Sequence, residues 1–136
     1  MVHASLVEEC TDALAAKAST IPVGDPTDPA NALGPLIDQG QRDKVHRLVT
    51  DTVAKGARLA ARGTYDRLFY RPTVLAAVPR DAPAFTEEIF GPVAPVTAYE
   101  TVDEAVIPFG GIKASRQRRA VRRTGATSRL SRTCSG

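Results

Sequence analysis

The chain contains no tryptophan, only two cysteines, and few aromatic residues, which make up 5% of its 136 positions. Cys10 and Cys134 lie at opposite ends and show no metal-ligand spacing, so we expect neither a disulfide framework nor a zinc site. Aromatic content this low also makes an aromatic binding platform a poor candidate. With 43% hydrophobic residues, the chain can still form the core of one domain or part of one.

Long hydrophobic runs are absent as well. No stretch reaches the roughly 18 apolar residues that a membrane-spanning helix requires. The first six residues contain no basic segment followed by an apolar stretch, so we expect no secretory signal there. Few cysteines and no export signal together predict a cytoplasmic protein without a membrane segment.

Acidic residues are missing from the last part of the chain. Residues 1–115 hold eleven Lys and Arg and all fifteen Asp and Glu, a net charge of −4. Residues 116–136 hold seven Arg and no acid, a net charge of +7. This asymmetry marks a boundary near Arg116 and predicts an Arg-rich disordered tail over 116–136.

The pattern near the N-terminus predicts a helix over residues 5–18. Ser5-x-x-Glu8 has the form of a capping box, in which the hydroxyl and the carboxylate each satisfy an end amide. Three residues then form an apolar stripe at helical spacing: Leu6, Cys10 and Leu14. We therefore expect Cys10 to be a buried small hydrophobe and not a nucleophile.

A second helix is predicted over residues 39–55. Asp38 or its neighbour caps it, and Gly56 ends it. Its apolar stripe consists of Val45, Leu48, Val49 and Val53. His46 falls on this helix and His3 lies near the start of the first one. Both histidines are isolated, so we interpret them as structural or solvated, and we predict no metal ligands.

Three segments have the composition of strands, and loops rich in Pro and Gly separate them. They are Ala57–Ala61, Phe69–Val74 and Val93–Tyr99. The second is entered through Arg71-Pro72, which predicts an edge or irregular strand. We also predict a turn over Gly63–Asp66 and a loop over Pro79–Pro83. A further capping box, Thr101-x-x-Glu104, opens a helix over 102–106 that Pro108 ends after one turn. The chain as a whole is predicted to be α/β, with a partial sheet between the two long helices.

Residues 87–92, Glu-Glu-Ile-Phe-Gly-Pro, are the most informative stretch. A carboxylate ahead of a strand and beside a fixed aromatic suits a ribose hydroxyl and a ring face. An ionised carboxylate only accepts hydrogen bonds, so it can receive two from a vicinal diol. The stretch therefore points to a nucleotide cofactor. No strand, Gly-rich turn and helix unit that would bind a pyrophosphate occurs elsewhere.

Six segments in order resemble the C-terminal, catalytic-domain portion of the aldehyde dehydrogenase superfamily, closest to its benzaldehyde or vanillin dehydrogenase-like branch. They are Val2-His3-x-Ser5-Leu6, Gly24-Asp25-Pro26, Gly34-Pro35-Leu36-Ile37 with Gln41 and Val45, Tyr70-Arg71-Pro72-Thr73-Val74-Leu75, the 87–92 motif, and Pro108-Phe109-Gly110-Gly111-Ile112-Lys113-Ala114-Ser115. The resemblance implies a partial three-layer α/β/α sandwich over residues 1–115. It also implies NAD or NADP as cofactor and an aldehyde, with aromatic aldehydes one candidate class, as substrate.

The resemblance assigns roles to two residues of the motif. It implies that Glu88 binds the nicotinamide ribose hydroxyls and that Phe90 lies near the nicotinamide side, while Glu87 has no such role. The cysteine nucleophile, the glutamate base and the asparagine of the oxyanion site precede the matched region in the family. We therefore predict no catalytic residue in this chain. Neither Cys10 nor Cys134 is expected to replace the nucleophile.

Two departures from the family pattern stand out. Elements that the family has between positions 106 and 107 are deleted, and the Arg-rich tail replaces the family's C-terminal strand, which joins a partner subunit in its homo-oligomers. A gene remnant with an internal deletion and a shifted reading frame is one explanation.

The sequence supports three functional hypotheses. The first is an aldehyde dehydrogenase fragment, related to NAD(P)+-dependent oxidation of aldehydes to carboxylic acids but inactive alone. The second is a nucleic-acid-binding module that uses the Arg tail, which the lack of aromatics there and the acidic remainder disfavour. The third is an interaction partner of a full-length homologue, through unpaired strand edges.

Overall fold

The computed structural model describes residues 1–106. Within that range the chain forms four α-helices, one short 3-10 helix (Ala4–Leu6) and seven short strands. The helices are α1 (Val7–Thr20), α2 (Gln39–Ala54), α3 (Pro83–Thr86) and α4 (Val102–Val106). The strands are β1 (Val2–His3), β2 (Arg58–Ala61), β3 (Tyr65–Asp66), β4 (Phe69–Tyr70), β5 (Thr73–Ala76), β6 (Val93–Pro95) and β7 (Ala98–Tyr99). The predictions for Pro108–Ser115, for the tail 116–136 and for Cys134 lie outside the described residues.

A three-stranded sheet in the order β2-β5-β6 forms the centre of residues 1–100. Strand β5 pairs antiparallel with β2 and parallel with β6. The single strand predicted over 69–74 is divided at Arg71-Pro72, since Phe69–Tyr70 and Thr73–Ala76 are separate strands. The expectation of an irregular strand is confirmed. The alternative of an edge strand is wrong for β5, which is the middle strand of its sheet.

Apolar clusters on both faces of this sheet give a three-layer arrangement. On one face, Leu75 of β5 packs with Val45 and Val49 of α2 and with α3. On the other, Val74 packs with Ala18 of α1 and with small residues of β2. Adjacent residues of a strand point to opposite faces, which places Val74 and Leu75 in different clusters. The predicted partial α/β/α sandwich is confirmed for this part of the chain.

Helix α1 lies where the sequence predicts it, but its start and its buried face differ. The helix begins at Val7, and its N-cap residue Leu6 makes no side-chain cap. Instead of Ser5 capping, the Ser5 backbone N–H donates to His3 Nδ1 at 3.3 Å. The predicted apolar stripe is only partly covered, since Leu6 is 54% exposed, whereas Thr11 is buried. The capping-box and stripe predictions for this helix are therefore wrong.

Helix α2 follows its prediction closely. The Asp38 carboxylate accepts from the Gln41 N–H at 2.7 Å, which satisfies one end amide of the helix. Val45, Leu48 and Val49 of the predicted stripe are buried. The stripe prediction is wrong for Val53, which is 37% exposed, while Thr52 is buried. Gly56 ends the helix with φ of +106°, in the left-handed region that glycine adopts without strain.

The remaining segments contain shorter and more numerous elements than the sequence predicts. The predicted strand 93–99 is divided into β6, which joins the central sheet, and β7, which pairs parallel with β1. The turn predicted around 63–66 contains β3, which forms a hairpin with β4. The last residue of the loop predicted at 79–83 starts the single-turn helix α3, with Pro83 at its first turn.

Thr101–Val106 belongs to a separate compact unit. Helix α4 covers the predicted 102–106, and the Glu104 N–H donates to Thr101 Oγ1 at 3.3 Å, as one half of the predicted capping box requires. The deletion inferred after Val106 falls at the limit of the described residues and stays a prediction. None of the four described helices combines the length and apolarity needed to cross a membrane.

Candidate functional site

The motif 87–92 connects helix α3 to strand β6. The Glu87 N–H donates to the Pro83 carbonyl at 2.8 Å and so ends α3. Ile89 is partly buried against the apolar cluster beneath α2. At the far end, the Thr73 N–H donates to the Pro92 carbonyl at 2.8 Å, where β6 joins the central strand. The loop is thus anchored at both ends, and Ile89 anchors it in between.

Glu88 and Phe90 flank the partly buried Ile89, and both are exposed. Phe90 is 59% exposed, and it is one of several large apolar residues that lie at the surface of residues 1–106. The Glu88 carboxylate makes no hydrogen bond or ion pair with any of residues 1–106. The loop therefore presents an acceptor that is free to bind hydroxyl groups and an aromatic ring that is free to pack on a ligand.

Helix α2 supports the motif from behind. Gln41 Nε2 donates to the Phe90 carbonyl at 3.0 Å. Gly91 lies so close to the helix that a Cβ there would be 3.0 Å from Val45 Cγ2. Val45 is fully buried, so this contact joins the loop directly to the core.

An aromatic cluster that was not predicted from the sequence packs against the same helix. Tyr70 Oη and His46 Nδ1 are 3.3 Å apart, and the rings of Tyr65 and Tyr70 stack with centroids at 5.9 Å. The Arg42 guanidinium lies 4.8 Å from the centre of the Tyr65 ring, within cation–π range. Only the spacing of Arg42 and His46 by one helical turn could have suggested this cluster, which attaches the β3–β4 hairpin to α2.

Burial, together with the neighbouring Tyr65 phenol, raises the pKa of Tyr70 to about 12. Unfolding returns the phenol to its ordinary pKa near 10, so the unfolded chain loses the proton first as the pH rises. Below pH 10 the stabilisation is fully present. Between about pH 10 and 12 we expect the free energy of unfolding to fall by up to roughly 1.4 kcal/mol per pH unit. Urea denaturation across this range should show a shallower decline for Tyr70→Phe than for wild type.

The matched control for that prediction is Tyr65→Phe. Tyr65 belongs to the same cluster but is 39% exposed. Its substitution should leave most of the alkaline decline in place. Equal declines in Tyr70→Phe and wild type would show that other groups cause the loss.

The described residues bring together no alternative catalytic centre. Cys10 is half-buried and unpaired, and neither described histidine hydrogen-bonds to it. His3 instead contacts Ser5 Oγ at 2.8 Å and the edge of Tyr99. Nowhere in residues 1–106 do three His, Cys, Asp or Glu side chains lie in a position to hold a metal ion.

Comparison with known proteins connects this geometry to a family. The family model for the aldehyde dehydrogenase family matches residues 1–109. A vanillin dehydrogenase from an Amycolatopsis species is 56% identical over 105 residues, which are 77% of this chain and 22% of that protein. A succinate-semialdehyde dehydrogenase from Paenarthrobacter nicotinovorans is 44% identical over 109 residues, 78% of this chain and 24% of the relative.

Solved structures agree with the sequence relatives. An aldehyde dehydrogenase from Pseudomonas syringae, bound to NAD+ and octanal, superposes with a TM-score of 0.74 at 33% identity, covering 79% of this chain and 24% of that one. A Mycobacterium tuberculosis aldehyde dehydrogenase complexed with NAD+ gives a TM-score of 0.74 at 31% identity, over 85% of this chain and 29% of that one. The chain thus spans about a quarter of the length of the proteins it matches, and it belongs to the aldehyde dehydrogenase family.

Proposed function

We propose that this chain is the cofactor-contacting C-terminal portion of an NAD(P)+-dependent aldehyde dehydrogenase, and that Glu88 and Phe90 are its cofactor-binding residues. The observation that carries the proposal is the exposure of both side chains on a loop whose backbone is fixed to α2.

The two side chains suit complementary parts of a nicotinamide nucleotide. The Glu88 carboxylate accepts hydrogen bonds from the two ribose hydroxyls, and the Phe90 ring offers an apolar surface to the nicotinamide side. The cofactor, when bound, supplies the hydride acceptor for aldehyde oxidation. This chain's contribution is to orient the nucleotide, because residues 1–106 offer Cys10 on α1 as their one thiol, and neither described histidine hydrogen-bonds to it.

The proposed substrate is an aldehyde, oxidised to its carboxylic acid by the complete enzyme in the cytoplasm. Two of the similar proteins are a vanillin dehydrogenase and the benzaldehyde dehydrogenase of Pseudomonas putida, the latter 39% identical over 106 residues. These names favour an aromatic aldehyde, although a succinate-semialdehyde dehydrogenase is a relative too. We propose that this chain is inactive alone, because residues 1–106 place neither described histidine in hydrogen-bond contact with Cys10, their one thiol.

Cofactor binding tests the proposal most directly. Saturation-transfer NMR with NAD+ and with NADP+ should detect weak, saturable binding to the chain. Loss of charge-assisted hydrogen bonds in Glu88→Gln should weaken that binding about tenfold or more. Glu87→Gln is the matched control, since Glu87 is the adjacent exposed carboxylate, and it should change affinity less than about twofold. No saturable binding by wild type, or equal losses in both variants, would refute the assignment.

The proposed inactivity requires a separate assay. The purified chain, mixed with NAD+ and either benzaldehyde or succinate semialdehyde, should produce no NADH above the rate without protein. Aldehyde-dependent NADH formation that co-purifies with the chain would overturn this part of the proposal. The binding result stands independently of this assay.

A further inference from the structure

We propose that Gln41 is a positioning residue for the 87–92 motif: its side-chain amide, by donating to the Phe90 carbonyl, holds Glu88 and Phe90 in the orientation that binds a nucleotide. The functional meaning of this orientation rests on the cofactor role proposed above. The contact itself is a feature of the ligand-free chain, and it joins positions 49 residues apart at 3.0 Å.

The Gln41 side chain supplies the hydrogen bonding for the middle of the motif. Backbone hydrogen bonds hold the upstream end at Glu87 and the downstream end at Pro92. Between them, among the described residues, the Gln41 amide is the one hydrogen-bond partner of the stretch Glu88–Phe90. Ile89 and Gly91 add apolar contacts to the core, but such contacts do not fix the rotation of a peptide plane.

Contacts at the start of α2 hold Gln41 in place. It is the third residue of α2, and its own N–H donates to the Asp38 carboxylate at 2.7 Å. Its side chain is half-buried, which restricts its rotamers. Less conformational entropy is therefore lost when the amide forms its hydrogen bond. The N-cap of α2 is therefore coupled through Gln41 to the motif.

Backbone dynamics of the ligand-free chain test the proposal. In ¹⁵N relaxation, the amides of Ile89, Phe90 and Gly91 should show order parameters near 0.85 in wild type and below about 0.6 in Gln41→Ala. Gln39→Ala is the matched control, because Gln39 is an exposed glutamine at the start of the same helix without contact to the motif, and its order parameters should equal those of wild type.

The variant Gln41→Glu separates hydrogen bonding from packing, since Glu and Gln have nearly the same shape. At neutral pH the carboxylate cannot donate, so the loop should be mobile. Below the ordinary pKa of glutamate, about 4.3, the protonated acid can donate to the Phe90 carbonyl, so order should return while wild type stays ordered throughout. Order in Gln41→Glu at both pH values, or in Gln41→Ala, would overturn the proposal.

Cofactor titration of the same variants links this dynamic role to binding. Gln41→Ala should weaken NAD+ binding about three- to tenfold, and Gln39→Ala should not weaken it. If the loop becomes mobile in Gln41→Ala but Glu88→Gln binds NAD+ like wild type, the positioning role stands and the cofactor role fails. If Gln41→Ala stays ordered and Glu88→Gln loses binding, the positioning role fails and the cofactor role stands.

Discussion

Leu75→Ala is expected to cost about 2–5 kcal/mol of the free energy of unfolding, the range typical of a large-to-small change in a packed core. Leu75 is completely buried in the middle strand of the central sheet. It packs against α2 and α3, so its removal leaves a cavity that residues from three elements would have to fill. A small domain has a total stability of only about 5–15 kcal/mol, so this single change should remove a large share of it.

The physical reason lies in the position of β5. One neighbour is antiparallel and the other parallel, so a shift of β5 to close the cavity would disturb both pairings. The Leu75 carbonyl also accepts from the Val96 N–H at 2.7 Å, which holds the backbone at this position. Relaxation around the cavity should therefore be limited, and the cost should fall in the upper part of the range.

Leu59→Ala is the matched control for this prediction. Leu59 lies directly opposite Leu75 in the β2–β5 register, but it is 43% exposed. Its substitution should cost less than about 1 kcal/mol. Urea denaturation followed by circular dichroism measures both variants. Similar midpoints for the two would contradict the assignment of Leu75 to the centre of the core.

Helix α2 could be predicted from the sequence because its signals are local and agree with one another. Asp38 indicates where the helix starts, and the glycine at position 56 indicates where it ends. The apolar stripe through Val45 lies between these two positions. Helix α1 shows the limit of such reasoning. Its periodicity correctly indicates a helix, but periodicity cannot say which face has a partner, and Leu6 remains more than half exposed. Thr11 is buried instead, with its hydroxyl donating to the Val7 carbonyl at 2.7 Å.

The position of β5 in the sheet was not accessible from the sequence for a related reason. Arg71-Pro72 correctly indicates an irregular strand, because proline has no N–H to donate to a neighbouring strand. The irregularity falls before β5, however, and Thr73–Ala76 pairs on both sides without involving that proline. Strand order depends on contacts between distant segments, which local composition does not record.

The candidate site likewise has residues that can be predicted from a local motif and a supporting contact that cannot. Glu88 and Phe90 could be identified from the 87–92 motif and its family resemblance, and their exposure follows from a short loop between α3 and β6. The support of that loop could not be identified. Gln41 lies 49 positions from Phe90, and nothing in the local pattern around either residue indicates their hydrogen bond.

Gly91→Ala should destabilise the chain by about 1–3 kcal/mol, the cost of forcing a methyl group into a packed interface. The added Cβ would lie 3.0 Å from Val45 Cγ2 and 3.2 Å from Cγ1, closer than atoms in ordinary contact. Val45 is fully buried on α2 and has no space to move away, so the loop must shift instead. Gly34→Ala is the control, because its nearest neighbour would be 3.6 Å away, and it should be close to neutral.

A double-mutant cycle identifies Val45 as the cause of that cost. Val45→Ala alone removes buried methyl groups and should itself cost about 1–3 kcal/mol. Combined with Gly91→Ala, it opens the space that the new methyl group needs. The double variant should therefore be more stable than the sum of the two single losses predicts, by at least about 1 kcal/mol. Additive losses in urea denaturation would show that the Gly91–Val45 contact does not limit this position, and that the strain of Gly91→Ala arises elsewhere in the loop.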